Sequence, residues 1–509
     1  FAFASYYSSG MVLQRSPRRA SIWGYAPLGT VGQAVKLTVS SANSTASFEA
    51  KVSIGVWRVQ LKEMPGSLTS YVITASLASR PSIKISDVLF GDVWLCSGQS
   101  NMVFKVGQIF NKTMEYELAS HFPYIRLTLV STVQSNVTLY DIQRYDMKWA
   151  KPSKIQNFHS TETVENFSAV CWLYARHIFS EIKVPMGMIT SAWGGTPVES
   201  WSSPESLSSC GLRSKLTGVD SPPHVNYVLY NAMIHPFLNM TIYGALWYQG
   251  EANANLNRDL YNCTFPAMID DWRTKWNEGT FALTDPTFPF GFVQLGPNTN
   301  TSYVPGFSDI RWHQTADIGT VPNNRLKNVF MATAVDLTDL NSPYYPVHYR
   351  DKETVGERLA LSGLAVAYGR KDVKFQGPLP TDAVIDKTKL QIQIIYDNNQ
   401  TPLLKIKSSL GFELCCKASK ENPCAMSGDE WTATPVAGFN STAVTLNASA
   451  CANKFLLGAR YIWRETPCFY KKCPVYSVKN DLPAPPFFYL GDMDGFTGER
   501  GKTVVHFSN

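Results

Sequence analysis

Between residues 87 and 368, short apolar segments suited to β-strands alternate with longer segments that carry apolar residues at helical spacing. Alternation of this kind is typical of a mostly parallel sheet with helices on both faces. We therefore predict an α/β fold for the middle of the chain. The predicted strands are 88–96, 186–192, 243–248, 288–295 and 329–337, and the predicted helices are 165–183, 260–276 and 352–368.

The two ends of the chain have a different texture, with short β-rich runs separated by turn residues. Regular spacing of such runs in residues 1–88 predicts a small antiparallel sandwich. Near the other end, runs at 389–396 and 402–407 flank Asp-Asn-Asn-Gln as a predicted hairpin, and 455–463 is a further predicted strand. The predicted strands of the N-terminal part are 20–24, 33–39, 56–61 and 70–75.

These changes of texture predict four regions. An N-terminal β-sandwich-like domain covers 1–88, an α/β domain covers 89–370, and a disulfide-rich β domain covers 371–481. We expect the two β-rich domains to be scaffold or accessory parts. The last region, 482–509, begins with Leu-Pro-Ala-Pro-Pro-Phe-Phe, whose prolines favour a rigid extended segment. We expect that segment to pack back on the body of the protein.

Charge and hydropathy argue against two classes of protein. The 509 residues carry a net charge of +6 without a cluster of Lys and Arg, which argues against a protein that binds nucleic acid. No run of about 18 apolar residues is present, so we expect no membrane span. The slight positive charge is compatible with a small acidic ligand. The sequence carries no signal for the oligomeric state.

The cysteines indicate disulfide chemistry rather than a metal site. Six of the ten crowd into the stretch 415–473 without regular Cys-x-x-Cys pairs, which favours three disulfides and no metal. The adjacent Cys415 and Cys416 are expected to pair with different partners. The other four suit one or two bridges or buried thiols equally well. The six are Cys415, Cys416, Cys424, Cys451, Cys468 and Cys473, and the other four are Cys96, Cys171, Cys210 and Cys263.

Ten Asn-x-Ser/Thr sequons support passage through the secretory pathway, and each is expected to be a surface site. The disulfide pattern agrees, so we expect a lysosomal or extracellular glycoprotein. The first residues lack the charged and apolar regions of a signal peptide, and we expect a mature chain whose leader has been removed. The acceptors are Asn43, Asn111, Asn136, Asn166, Asn239, Asn262, Asn300, Asn399, Asn440 and Asn447.

A Gly-Gln-Ser-Asn turn at 98–101 follows an apolar strand. The turn would hold the Ser100 hydroxyl at the carboxyl end of that strand, where ligands bind in open α/β sheets. A serine in this place is a candidate nucleophile if a base and oxyanion donors converge on it. The pattern differs from the Gly-x-Ser-x-Gly elbow of the α/β-hydrolases, because Asn101 and Met102 follow the serine. Taken alone, the motif also fits an ordinary turn.

Three further loops of suitable chemistry follow predicted strands of the same sheet. The paired glycines within 193–197 bring backbone N–H groups close to a ligand, and Gly195 N–H is the expected oxyanion donor. The loop at 249–253 offers a side-chain amide as a second donor, and His348 is the natural base. Each loop alone fits an ordinary turn or a surface residue. Four such loops at one sheet edge are the layout expected of an acyl-transfer site.

In order along the chain, these motifs closely resemble those of the SGNH-type carbohydrate esterases, in particular the animal sialate O-acetylesterases. The resemblance extends through 231–236, 311–317 and 482–487 and so spans nearly the whole chain. It implies an SGNH-hydrolase, flavodoxin-like fold and removal of O-acetyl groups from sialic acid by a serine esterase without a metal or other cofactor. The motifs are Gly-Gln-Ser-Asn at 98–101, Trp-Gly-Gly-Thr-Pro at 193–197, Trp-Tyr-Gln-Gly-Glu at 247–251 and His-Tyr-Arg-Asp-Lys at 348–352.

The resemblance also implies a role for each matching residue. Ser100 is the nucleophile that forms an acetyl-serine intermediate, and His348 is the general base and then the general acid. The backbone N–H groups of Ser100 and Gly195 and the side-chain amide of Gln249 form the oxyanion hole, with Asn253 as a further member. The implied partner is O-acetylated sialic acid, either free or on glycans.

The chain departs from the wider SGNH pattern at the position three residues before the catalytic histidine. An Asp usually stands there, whereas this chain has Tyr345. Asp336, Asp339 and Asp351 are alternative carboxylates for the triad. Our preferred hypothesis is a Ser-His dyad in which a backbone carbonyl accepts the His348 Nδ1–H and fixes the tautomer.

The sequence gives less information about which residues bind the sugar. A sialic acid carboxylate calls for a cation, ideally the bidentate fork of an arginine. Arg350, Arg311 and Arg258 are candidates, although structural ion pairs suit each of them as well. Trp201 and Tyr345 are candidates for an apolar wall against the sugar or acetyl group, with a core role as the alternative.

Two other functions fit the same residues. One is an acetylesterase that acts on another carbohydrate, since the loops that select the sugar are not readable. The other is a non-catalytic glycan-binding protein built on an esterase scaffold. The presence of Ser100 and His348 argues against the second, because a lectin has no need of a nucleophile.

Overall fold

The structure of the chain, a computed structural model, describes residues 1–78, 80–152, 164–212, 223–299, 306–396, 403–421, 423–491, 493 and 501–507. The chain divides into two compact units. The first unit comprises Phe1–Gln249, Thr264–Phe292 and Asp351–Ala360, and the second comprises Gly250–Cys263, Val293–Arg350 and Leu361–Asn509. The chain passes repeatedly from one unit to the other, so the units do not follow the four predicted regions. That division stays a prediction.

The strands lie throughout the chain. They are Ala2–Phe3 (β1), Val12–Gln14 (β2), Ser21–Tyr25 (β3), Ala34–Ser40 (β4), Thr45–Lys51 (β5), Val56–Gln60 (β6), Ser67–Leu77 (β7), Arg80–Gly98 (β8), Ile125–Val130 (β9), Tyr145–Ala150 (β10), Met186–Ala192 (β11), Gly244–Tyr248 (β12), Phe290–Gln294 (β13), Val329–Thr333 (β14), Pro380–Asp386 (β15), Gln391–Tyr396 (β16), Leu404–Ile406 (β17), Phe412–Lys417 (β18), Trp431–Ala433 (β19), Val436–Phe439 (β20), Ala443–Asn447 (β21), Phe455–Tyr461 (β22), Val475–Ser477 (β23), Phe487–Leu490 (β24) and Lys502–His506 (β25).

The longer helices are α3, α5 and α7, which confirm the three predicted helices with their ends shifted by a few residues. The α-helices are Ser100–Val103 (α1), Lys112–Ala119 (α2), Ala169–Ile182 (α3), Pro204–Ser209 (α4), Tyr261–Gly279 (α5), Phe307–His313 (α6) and Lys352–Val366 (α7). The 3₁₀ helices are Leu28–Thr30, Val106–Gln108, Val164–Asn166, Val198–Trp201, His235–Phe237, Ala252–Ala254, Arg258–Leu260 and Ser449–Cys451, and Tyr230–Ile234 is a π-helix.

Parallel strands form the core of the first unit. Their order from one edge is β10, β9, β11, β8, β12 and β13. The edge strand β10 is antiparallel to β9, and the others pair in parallel. Every residue of β11, β12 and β13 is buried, as expected of strands covered on both faces. The predicted α/β fold is therefore confirmed at the level of a mixed α/β sheet.

Strand β8 links two kinds of sheet within the first unit. From Arg80 to Asp87 its residues are largely exposed or half-buried, and from Val88 to Gly98 every residue is buried. The first stretch pairs antiparallel with β7, and the second pairs in parallel with β11 and β12. The change from a half-solvated ribbon to a buried parallel strand explains the change in sequence texture near position 88. The strand itself continues through that position without a break.

Most N-terminal strands pair antiparallel, as predicted, whereas β2 pairs in parallel with β8. β4 pairs with β5 and β7, and β1, β3 and β6 form a separate three-stranded sheet. β4 alternates buried and open positions, so it presents one apolar face. The four strands predicted in residues 1–88 correspond to β3, β4, β6 and β7.

Antiparallel sheets make up most of the second unit. One sheet has the order β20, β21, β16, β15, β25, and another has the order β19, β18, β22, β24. The unit also contains the last two residues of β13, which neighbour β14. β14 ends at Thr333 rather than at the predicted residue 337, which leaves a longer connection toward His348.

The predicted hairpin of 389–396 with 402–407 is wrong. Both edges of β16 are occupied, by β15 on one side and β21 on the other, so β17 has no free edge to join. β17 pairs instead with β23 in a two-stranded sheet. The alternating apolar pattern identified the strand but not its partners. The turn at 397–400 lies outside the described residues.

The C-terminal region is less uniform than the extended segment predicted for 482–509. Phe487–Leu490 forms β24 on β22, and Lys502–His506 forms β25 on β15. Both strands thus complete sheets of the second unit. Pro483 also forms an isolated antiparallel bridge with Tyr476.

The cysteines form disulfides. Cys415 pairs with Cys424, Cys416 with Cys451 and Cys468 with Cys473, so the two adjacent cysteines do take different partners. In the first unit, Cys96 of β8 pairs with Cys171 of α3. Cys210 and Cys263 are also disulfide-bonded. The described residues contain no free cysteine.

Most of the described sequon asparagines are exposed. Asn43, Asn111, Asn136, Asn440 and Asn447 are exposed, whereas Asn166, Asn239 and Asn262 are half-buried. Asn262 Nδ2, the atom that glycosylation would modify, donates to an Asp317 carboxylate oxygen at 2.6 Å. Asn300 and Asn399 lie outside the described residues. None of the described helices is long and apolar enough to cross a membrane.

Candidate active site

Three strand ends meet at one edge of the parallel sheet in the first unit. Gly98, at the end of β8, pairs with Ala192 at the end of β11 and with Tyr248 at the end of β12. The Ser100 turn, the Gly-Gly loop and Gln249 follow these three strands directly. The register therefore brings three of the four predicted loops to the same sheet edge.

The backbone around Ser100 is fixed on both sides. Gln99 N–H donates to the Tyr248 carbonyl at 2.9 Å, and Trp193 N–H donates to the Gly98 carbonyl at 3.0 Å. Gly98 has φ +133°, and a Cβ there would overlap the Tyr248 backbone, so only glycine fits. Ser100 then opens α1 and is half-buried. A short turn held this way presents the hydroxyl without burying it.

The two glycines of the next loop have different tasks. Gly194 lies beside the nucleophile turn, because a Cβ built on Gly194 would contact Ser100 Cβ at 3.4 Å. Gly195 has φ +75°, which favours glycine and turns the chain sharply. A Cβ at Gly195 would lie 4.0 Å from Nε2 of His224. Sequence reasoning missed His224, which has no recognisable motif around it.

Gln249 is fully buried and tied to the Gly-Gly loop. Its Nε2 donates to the Thr196 carbonyl at 3.1 Å. Trp201, a predicted sugar contact, is itself fully buried and donates from Nε1 to Thr196 Oγ1 at 2.8 Å. This buried position favours a core role, in which Trp201 supports the loop. It does not favour the predicted contact with the sugar.

A buried lysine contacts the nucleophile turn through Asn101. Lys352, the first residue of α7, is fully buried and donates from Nζ to Asn101 Oδ1 at 2.8 Å. Its Nζ also lies 4.9 Å from the ring centroid of Phe104. Sequence reasoning did not single out this residue. A signal was present, because a cation at the start of a helix opposes the helix dipole and needs another reason to be there.

His348 belongs to the second unit and has a defined tautomer. Its Nδ1 lies 2.7 Å from the Tyr344 carbonyl oxygen. A carbonyl only accepts, so Nδ1 carries the proton and Nε2 is the basic nitrogen. This is the kind of partner that the dyad hypothesis requires. Ser342 Oγ donates to the His348 carbonyl at 2.7 Å and further fixes the histidine backbone.

The three alternative carboxylates each accept from other groups. Asp336 accepts from Tyr476 Oη at 2.9 Å, and Asp351 accepts from Thr354 Oγ1 at 2.8 Å. Asp339 holds Arg350 in a bidentate pair at 2.7 and 2.9 Å. Hydrogen bonding to Asp339 raises the pKa of Arg350. These bonds give each carboxylate a structural role.

The arginines proposed for the sugar carboxylate also have structural partners in the second unit. Arg311 is fully buried and donates to the carbonyls of Leu295, Gly296, Arg464 and Glu465 at 2.7–2.8 Å. Arg258 pairs with Asp259 at 2.9 Å and with Asp309 at 3.2 Å. The structure thus favours the structural alternative for Arg350, Arg311 and Arg258.

The remaining predicted residues lie in the second unit. Asn253 is fully buried and donates from Nδ2 to the Leu256 carbonyl at 3.1 Å. Tyr345 is 76% exposed with φ +71°, so its ring is open to solvent. The described residues contain one group with metal-ligand spacing, Cys415, Cys424 and Glu430, and its two sulfurs are joined in a disulfide.

Two family models match the chain. Residues 90–364 match the carbohydrate esterase family described as sialic acid-specific acetylesterase. Residues 381–491 match the sialate O-acetylesterase C-terminal domain. The first match covers the parallel sheet and both candidate catalytic residues.

Similar proteins cover nearly all of the chain. A sialate O-acetylesterase of Pongo abelii is 41% identical over 508 residues, covering 97% of this chain and 94% of that protein. A sialate O-acetylesterase of Homo sapiens is 41% identical over 500 residues, with coverage of 96% and 92%. The crystal structure of a carbohydrate acetylesterase from Xanthomonas citri shares the fold, with a TM-score of 0.76, 24% identity and coverage of 96% and 99%. The chain therefore belongs to the sialate O-acetylesterase family.

Proposed function

We propose that this protein is a serine esterase that hydrolyses the O-acetyl esters of sialic acids. The 41% identity to animal sialate O-acetylesterases over nearly the full chain supports this substrate class. The observation that carries the chemistry is the register of β8, β11 and β12, which brings Ser100, the Gly-Gly loop and Gln249 to one sheet edge. Such an edge is where an α/β sheet binds its ligands.

The proposed reaction has two steps. Ser100 Oγ attacks the acetyl carbonyl while His348 Nε2 takes its proton and passes it to the departing sugar hydroxyl. Water then attacks the acetyl-serine with the same histidine as base, which releases acetate and restores Ser100. The Ser100 and Gly195 N–H groups and the side-chain amide of Gln249 stabilise the oxyanion. Asn253 is a proposed further member of the oxyanion hole.

The tautomer of His348 supports a dyad without a triad carboxylate. Nδ1–H is held by the Tyr344 carbonyl at 2.7 Å, which orients the ring as a triad acid would.

Fold and location belong to the same proposal. We propose an SGNH-hydrolase, flavodoxin-like catalytic domain at 89–370 with β-rich accessory domains at 1–88 and 371–481. The disulfides and the family are consistent with a secretory-pathway protein. We propose a lysosomal or extracellular location. Microscopy of the tagged protein in its own cells tests this location.

Acetate release tests the substrate class. The enzyme is given O-acetylated sialic acid and, separately, acetylated xylose, with Ser100→Ala as the control. The proposal predicts a higher kcat/KM on the sialic acid and no release by Ser100→Ala. A preference for acetylated xylose would favour an esterase for another carbohydrate, and the absence of release from both would favour a glycan-binding protein.

A further inference from the structure

A cavity of about 250 Å³ lies beside the nucleophile turn in the first unit. Ala192 and Thr190 of β11 and Leu129 and Val130 of β9 contribute to its wall, so it opens near the carboxyl ends of two neighbouring parallel strands. Val103 of α1, three residues after Ser100, completes this side. Because Ala192 pairs with Gly98, the cavity begins within a few residues of the nucleophile.

Thr190 lies in the wall of the cavity but does not present its hydroxyl to a ligand. The residue is 1% exposed, and its Oγ1 has almost no accessible surface. Its neighbours across the sheet are Cys96 and Leu129. The polar groups that a ligand can reach therefore lie at the rim of the cavity.

The rim of the cavity carries charges of both signs. Lys105 is exposed, and its Nζ lies 3.3 Å from Asn166 Oδ1, so an ammonium and a carboxamide stand side by side. Asp146 lines the same cavity and accepts from Ser131 Oγ at 2.5 Å. The ammonium is suited to a carboxylate, and the Asp146 carboxylate is suited to a sugar hydroxyl.

The size and lining fit a monosaccharide ring. An apolar cavity of about 150 Å³ already accommodates benzene, so this larger cavity has room for a pyranose. Leu129, Val130 and Val103 offer an apolar surface to the C–H face of such a ring. A ligand with an apolar face, several hydroxyls and one carboxylate matches the apolar wall, Asp146 and Lys105.

We propose that this cavity is the subsite for the acid-bearing ring of the substrate, with the carboxylate bound by Lys105. The Asp146 carboxylate binds a hydroxyl group on the same ring. The inference rests on the proposed function and adds residues that select an acidic sugar over a neutral one. It replaces the three arginines, which have structural partners, with a lysine in the first unit.

Two variants separate the cation of the cavity from its carboxylate. Lys105→Met should raise KM for O-acetylated sialic acid about tenfold, because a charge-assisted hydrogen bond is lost. The same variant should leave KM for acetylated xylose within about twofold, since that sugar has no carboxylate. Asp146→Asn keeps the shape and removes the negative charge, and it should raise KM about threefold for both sugars. Binding that is equal in ground and transition states changes KM and leaves kcat nearly constant.

The controls use residues outside the cavity. Lys36→Met on the exposed side of β4 removes a lysine elsewhere and should leave KM unchanged for both sugars. Lys105→Arg should restore most of the affinity for the acidic sugar. All proteins are produced in a host that attaches no N-linked glycans, because Asn166 at the rim is a sequon asparagine and its carboxamide must stay intact. Thermal unfolding of each variant shows that the fold is retained.

The outcomes distinguish the two proposals. An unchanged ratio of kcat/KM for the acidic over the neutral sugar in Lys105→Met would overturn the subsite while the function stands. Absence of acetate release from the acidic sugar by the wild type would overturn the function itself. In that case, saturation-transfer NMR measures the binding of free sialic acid and tests the cavity independently of catalysis. Weaker binding by Lys105→Met than by the wild type would support it, and equal or absent binding would refute it.

Discussion

At the scale of single residues, the nucleophile turn depends on a buried lysine as well as on glycine. Lys352 sits at the start of α7, where the helix dipole disfavours a cation, and has no exposure to water. Its bond to Asn101 Oδ1 fixes the side chain next to Ser100. The aromatic rings of Phe104 and Tyr248 face the ammonium at 4.9 and 5.7 Å and offset part of its desolvation. We regard Lys352 as a positioning residue for the turn.

Lys352→Met should lower kcat about ten- to a hundredfold with little change in KM, since a displaced nucleophile weakens the transition state more than binding. Asn101→Ala should do the same, and the double variant should be no worse than either single one, because both changes break one contact. Steady-state kinetics of the three proteins measures this, with Lys371→Met as the control. Additive losses would contradict the positioning role.

Gln249→Ala should reduce kcat about a hundred- to a thousandfold, the usual cost of losing one oxyanion donor. The change also removes the bond to the Thr196 carbonyl, so its effect on unfolding must be measured beside activity. A matched control is Gln60→Ala on the exposed end of β6. Full activity in Gln249→Ala would exclude Gln249 from the oxyanion hole.

At the scale of elements, the segment between β14 and α7 is held at several points along its length. Asp339 accepts from the Arg350 backbone N–H at 3.2 Å and from its guanidinium at 2.7 and 2.9 Å, which links two residues 11 positions apart in the segment. Thr338 Oγ1 donates to the Cys468 carbonyl at 2.7 Å, beside the Cys468–Cys473 disulfide. His348 thus stands on an irregular segment that is nonetheless fixed by side chains.

Asp336→Asn and Asp339→Asn test the carbonyl assignment. Each variant keeps an oxygen acceptor and removes the charge, so kcat should remain within about tenfold of the wild type if no carboxylate serves the histidine. The Asp339 variant weakens the Arg350 pair and should lose more than the Asp336 variant. Loss of about ten-thousandfold in either, as for removal of a triad acid, would show that a carboxylate orients His348.

The sequence predicts buried elements better than their partners or their supports. Strand 186–192 was predicted residue for residue, because a continuous apolar run between polar turns has sharp ends. The predicted hairpin of β16 and β17 was wrong, because an alternating apolar pattern shows which face of a strand is buried but not which strand it pairs with. Lys352 was missed because its role depends on a contact with Asn101, 251 residues away in sequence.

At the scale of the whole molecule, the order of the chain and the division into units differ. The first unit takes residues from three separate stretches, and the second also takes three. Changes of composition along the sequence mark only contiguous regions. They therefore could not predict units that are each built from separate stretches of the chain. The Cys96–Cys171 bridge, 75 residues apart, ties β8 to α3 within the first unit.

Stability should depend on pH through Asp271 in the first unit. Burial raises the pKa of Asp271 to about 6, and its side chain is 13% exposed. Between the ordinary value of 3.8 and about 6, the folded chain holds a proton that the unfolded chain has lost. The free energy of unfolding therefore declines as pH rises through that window and stays lower above it.

Asp271→Asn should remove this decline. The gain in unfolding free energy at pH 7 is at most about 3 kcal/mol, and the loss of the Lys275 contact at 3.7 Å reduces it. Below pH 4 the variant and the wild type should be nearly equal. Urea unfolding at both pH values measures the difference, with the exposed neighbour variant Asp270→Asn as control. The same difference at both pH values would contradict the assignment.

The central claim is that Ser100 is a nucleophile activated by His348. A fluorophosphonate probe followed by peptide mass spectrometry tests it directly, because the probe bonds only to an activated serine. We predict one modification, on the peptide that contains Ser100, and labelling at least about a hundredfold slower in His348→Ala. Modification of a different serine, or labelling of Ser100 at the wild-type rate without the histidine, would contradict the account.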